Sequence, residues 1–134
     1  MITLILGRKG SGKTKKLMAM CNAAIEKSNG NVVFIEKDNT LTYDISHKAR
    51  LVAAEDYAIK GFDALYGYIA GMCAGNYDIT DIFVDSVLKI GGSDTAALVP
   101  FVEKLAKLET NIVMSISADK AELPAVLGEL AQEI

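Results

Sequence analysis

The chain opens on ITLILGRKGSGKTKKLMAM, in which residues 7–14, GRKGSGKT, set a glycine, four residues and then Gly-Lys-Thr between two different hydrophobic periods. Residues 2–6 are a short apolar run that suits a buried strand, and after Lys13 the spacing becomes helical, with Leu17, Met20, Cys21, Ala24 and Ile25 on one face. A strand that passes through glycines straight into a helix can fold in few ways. Gly7, Gly10 and Gly12 allow backbone conformations that aim successive N–H groups into one concavity, with no Cβ in the way. The helix beginning near Lys13 adds the positive end of its dipole, so the concavity is expected to take a phosphate-like anion. A plain glycine turn would also join a strand to a helix. Two glycines, a lysine and a Ser or Thr at this spacing should nevertheless coincide by chance in well under about 1% of chains this long.

Gly7, Arg8, Lys9, Gly10, Ser11, Gly12, Lys13 and Thr14 together resemble the Walker A motif of P-loop NTPases. The resemblance implies that these residues bind a nucleotide, ATP with Mg²⁺. Lys13 then reaches the β- and γ-phosphates and serves catalysis, and the Thr14 hydroxyl ligates the metal.

With 134 residues, 51% of them hydrophobic, the chain is expected to make one core and one domain, residues 1–134. A formal charge of -3 argues against nucleic acid as a partner, which usually calls for a basic face. The one dense basic cluster, Lys13, Lys15 and Lys16, reads as a phosphate lysine followed by solvated lysines. Cys21 and Cys73 lie far apart in helical patterns with no metal-ligand spacing, and are expected to be core thiols in a reducing cytoplasm. Met1 leads directly into the first strand, so no signal peptide is expected, and no apolar run reaches the length of a membrane span.

Strand and helix patterns then alternate. Strands are expected at residues 32–35, 50–53, 82–84 and 112–116, and helices at 61–75, 95–108 and 121–130. Between the second and third strands, EKDNTLTYDISHK alternates Leu41, Tyr43 and Ile45 as a small hairpin or edge excursion, and carries the lone His47, expected on the surface. The alternation predicts an α/β fold: a mostly parallel sheet of about five strands with helices on both faces.

In DIFVDS, three apolar residues run directly into Asp85, which places a carboxylate at the ligand edge of such a sheet. This resembles a Walker B motif, whose aspartate supports Mg²⁺ beside the P-loop threonine. Many P-loop ATPases follow that aspartate with a glutamate; here it is Ser86. IFVDSVLKI is instead similar to the Asp-Ser form of RecA-like ATPases, in which the catalytic carboxylate stands at the end of a neighbouring strand. That similarity implies a three-layer P-loop fold with RecA-like strand order. The strand after Asp85 would insert between the first strand and the DIFV strand, bringing Ser117 to the γ-phosphate. By that similarity the catalytic carboxylate would be Asp38, with Glu36 two residues earlier as the other candidate, both just past the second strand; an ordinary solvated turn is the alternative.

No D-x-x-G or N-K-x-D of Ras-like GTPases occurs, nor the zinc ligands of thymidine kinases, and Arg8 and Arg50 are the only arginines available to clamp a transferred phosphoryl group. The expected function is that of an ATP·Mg²⁺-binding P-loop protein, a slow or partner-stimulated ATPase with a regulatory role. An ATP-gated binding module with negligible hydrolysis and a small-molecule kinase are the alternatives. Gly67, Gly71 and Gly75 recur every fourth residue, either for tight packing of that helix on its own sheet or as a face for a second copy or protein partner.

Overall fold

Each apolar run of the sequence becomes a strand of a single sheet. The computed structural model describes residues 1–39 and 45–133, and in it β1 (Ile2–Gly7), β2 (Asn31–Glu36), β3 (Arg50–Ala53), β4 (Ile79–Val84), β5 (Asn111–Ser117) and β6 (Ala131–Glu133) lie in the order β3-β2-β4-β5-β1-β6. All five neighbouring pairs are parallel. Parallel neighbours need crossovers, and α1 (Lys13–Lys27), α2 (Phe62–Gly75), α3 (Val87–Gly91) and α4 (Leu98–Ala106) provide most of them.

Successive strand residues face opposite ways, and both faces are covered. Ile5, Val32, Phe34 and Phe83 pack with Leu17 and Cys21 of α1. Leu4, Val33, Ile82 and Met114 face the other way, into a core built from α2, α3 and α4 through Leu65, Ile69, Ile90, Phe101 and Leu105. Burial on both sides is why the strands read as continuous apolar runs. Cys21 lies on the α1 side, where burial above all, and the charge of Asp81 second, push its thiol up to about 11, so it stays protonated at neutral pH. Cys73 is half-buried, and both cysteines are free.

β5 lies between β1 and β4, as expected of the strand after DIFVDS. Its register sets Ser117 beside Gly7 and Met114 beside Val84, so the C-terminal ends of β1, β5 and β4 form one edge. Among the described residues no helix is long and apolar enough to cross a membrane.

Among the described residues the sheet has six strands where about five are expected, and the expected closing helix at 121–130 does not form. Short 3₁₀ turns occupy Lys120–Glu122 and Ala125–Leu130, and the chain then pairs beside β1 as β6. Pro124 separates the turns: it lacks an N–H, and the residue before it, Leu123, is held extended at φ -97 and ψ 152. Leu123 and Leu127 are buried all the same, which accounts for the helix-like apolar spacing. Glu36, expected just past β2, is its last residue. The middle of the expected excursion, residues 40–44 with Leu41 and Tyr43, lies outside the described residues, whereas Ile45 is buried and His47 exposed.

The glycines of α2 are not explained by packing on the sheet. Gly67, Gly71 and Gly75 are exposed, and a Cβ at any of them would have nothing within 4 Å. In an open helix interior glycine is about 1 kcal/mol worse than alanine. Gly71→Ala should therefore stabilise the isolated chain by roughly 0.5–1 kcal/mol, read as a raised urea midpoint with an unchanged slope. A lowered midpoint would show a steric requirement at this position.

Candidate functional site

The loop between β1 and α1 turns on positive-φ glycines, Gly10 at 82° and Gly12 at 93°. A Cβ on Gly7 would meet the exposed Ser11 hydroxyl, which can rotate away, and would stand 3.2 Å from Ser11 Cβ and Lys13 Cγ, so a side chain here would be crowded. The Ser11 N–H closes the turn on the Arg8 carbonyl at 3.0 Å. Arg8, Lys9, Gly10, Ser11 and Gly12 form the exposed rim. Lys13, the first residue of α1, folds back under that rim with 6% of its surface exposed, and its Nζ donates to the Arg8 carbonyl oxygen at 2.9 Å. Burial, chiefly, lowers the Lys13 pKa below the usual lysine value; the charge of Asp85 opposes this and that of Lys89 adds to it.

Asp85 follows the last residue of β4 and is 8% exposed. Its backbone N–H donates to the Ile35 carbonyl at 2.9 Å, tying the turn to β2. Thr14 Oγ1, one residue into α1, donates to the carboxylate, lying 3.1 Å from Oδ1 and 3.2 Å from Oδ2. From β5, Ser115 Oγ donates to Oδ1 at 2.8 Å and accepts the Ser86 N–H at 2.7 Å. A buried carboxylate needs such donors, since an unpaired charge out of water is strongly unfavourable. Ser86 itself adopts a left-handed backbone, φ 54 and ψ 58, which starts α3.

The sequence-predicted residues separate into two groups. Lys13, Thr14 and Asp85 converge, and Ser117 stands exposed at the same edge, in register with Gly7. Glu36 is 2% exposed and follows Phe34 on the α1 face of β2, the strand next to Asp85. Asp38 lies two residues beyond, exposed on the turn after β2.

Two residues escape a reading of the sequence. Ser115 breaks the apolar run of NIVMSIS, and in alternation with Ser117 that polar break is the one available clue. Asp119 carries no comparable signal: its carboxylate meets Arg8 Nη2 at 2.9 Å and Nε at 3.3 and 3.4 Å, which holds its pKa below the usual carboxylate value and raises that of Arg8. Among the described residues no three or more of His, Cys, Asp and Glu converge into a metal cluster. A divalent cation here would take the Thr14 hydroxyl oxygen, the Asp85 carboxylate and oxygens of a ligand and water. Comparison with protein-family models gives no match, and a search of curated proteins finds no significant relative, so the functional reading rests on the site's chemistry.

Because Lys13 titrates lower in the folded chain than in the unfolded one, the unfolded chain binds more protons between the two pKa values, and this group's contribution to stability rises with pH across that window. Asp85→Asn removes the charge that partly offsets burial. The Lys13 midpoint, followed by NMR at its Cε, should then fall further below the lysine value, and a midpoint that rises would refute the electrostatic link.

Proposed function

We propose that the chain binds ATP with Mg²⁺ as a minimal P-loop NTPase of RecA-like architecture, and that it turns ATP over slowly until a partner or second copy completes the site. The observation that carries this reading is the meeting of Thr14 Oγ1 with the Asp85 carboxylate at 3.1 and 3.2 Å, across 71 residues of sequence, beside the Lys13 ammonium. A hydroxyl, a carboxylate and an ammonium under a glycine rim are the donor set a metal-bound triphosphate requires. The strand order supports the RecA-like assignment, since β5 separates β1 from β4.

In this reading the loop N–H groups cradle the phosphates. Lys13 exchanges its bond to the Arg8 carbonyl for phosphate oxygens. The Thr14 hydroxyl oxygen and the Asp85 carboxylate would hold the metal. Mg²⁺, when bound, neutralises charge on the phosphate oxygens. Ser117, at the edge beside Gly7, is the polar group nearest in register to the loop. Of the two carboxylates considered for orienting water, Glu36 shares the face and edge of Asp85, whereas Asp38 stands on an exposed turn. An ATP-gated binding module with negligible turnover is the second reading, favoured by Ser86 in place of a glutamate and by Arg8 being engaged with Asp119.

Mg²⁺·ATP at about a hundredfold over its Kd should stabilise the fold by roughly 2.7 kcal/mol in a thermal-shift assay, and Lys13→Met should erase that gain while leaving the ligand-free chain folded. No nucleotide-dependent shift in the wild type, with adenine or guanine nucleotides, overturns the proposal. Glu36→Gln should lower turnover by about 10²-fold with ATP binding retained, and Asp38→Asn should change it little. The reverse order would move the role to Asp38, and an absence of turnover alongside tight binding would favour the binding module.

A further inference from the structure

We infer that Ser115 is a positioning residue for the metal-supporting carboxylate, locking Asp85 toward Thr14 and tying it to the backbone turn at Ser86; this rests on the Mg²⁺·ATP reading above. Ser115 is 0% exposed, between Met114 and Ile116 in the strand next to β4. A hydroxyl there is unfavourable unless bonded, and this one has both capacities engaged: it donates to Asp85 Oδ1 at 2.8 Å and accepts from the Ser86 N–H at 2.7 Å. The Ser86 N–H fixes the hydroxyl's orientation, so its single proton has one direction to point. That direction is Oδ1.

The other contacts to the carboxylate are weaker or are surrendered in use. Thr14 straddles the two oxygens at 3.1 and 3.2 Å, and Ser86 Oγ reaches Oδ2 at 3.5 Å. A metal that takes the Thr14 hydroxyl oxygen turns that donor away from its present role. Ser115 is then the remaining short bond to the carboxylate, and it comes from a fully buried residue of β5. Partners that orient a metal-supporting group commonly change metal affinity by 10–100-fold when removed.

The test titrates Mg²⁺ against the full chain at fixed ATP and, separately, measures ATP binding in EDTA. Ser115→Ala should raise the Mg²⁺ concentration for half-maximal effect by about tenfold and leave metal-free ATP binding unchanged. Ser115→Cys keeps the size with a weaker donor and should fall between the two; it also provides the reading if the alanine variant folds poorly. In an Asp85→Asn background, Ser115→Ala should add no further change to the Mg²⁺ midpoint. A Ser115→Ala or Ser115→Cys chain with the wild-type midpoint, or one that loses ATP binding equally with and without Mg²⁺, overturns the inference while the nucleotide reading stands. A wild type that binds no nucleotide overturns both.

Discussion

The buried carboxylate of Asp85 is the interaction on which the rest of the arrangement depends. A charge that is 8% exposed is tolerable only with donors around it, and here they come from α1 through Thr14 and from β5 through Ser115. Those two residues lie 71 and 30 positions away in sequence, so the donors assemble only when the sheet has its native strand order. With β5 placed anywhere but next to β4, Ser115 could not reach. A sheet covered on both faces leaves its strand ends as the place where polar groups can gather, and the C-terminal ends of β1, β4 and β5 are where they do.

Two cations of the loop above this carboxylate have partners within the chain: the Lys13 ammonium has the Arg8 carbonyl, and the Arg8 guanidinium has Asp119. The two contacts differ in kind. Lys13 is enclosed and its bond is shielded, whereas the Arg8–Asp119 pair is exposed, adds little to stability and weakens with salt. Besides the exposed Lys9, an incoming anion therefore meets one cation that is fixed in place and one held by a pair that ionic strength can loosen.

The parts legible in the sequence are those with a short-range physical cause. GRKGSGKT declares its turn through glycine, β1, β2, β4 and β5 declare themselves through apolar runs, and Asp85 through its place at the end of one. The misreadings arise where local pattern and tertiary context disagree. Residues 121–130 have helical apolar spacing, yet Pro124 breaks the hydrogen-bond ladder and Leu123 and Leu127 reach the core from 3₁₀ turns. Of the two readings of the α2 glycines, packing on the sheet or a face for a second copy or partner, the first fails because they face open space. Ser115 was hidden because its importance lies in a neighbour 30 residues away, and Asp119 because an exposed acid after a strand looks like any other.

The lengths of the strands bear on how the chain avoids its own kind. NVVFIE, ITDIFV and NIVMSIS are the sort of uncharged or weakly charged β-prone segments that template aggregation when their edges are free. All three are interior, as is β1, and the two outermost strands, β3 and β6, have only 4 and 3 residues. Short edges offer an incoming strand few free N–H and C=O groups, and Arg50 adds a charge at the start of one of them. Among the described residues the four strongly adhesive strands thus each have a neighbour on both sides.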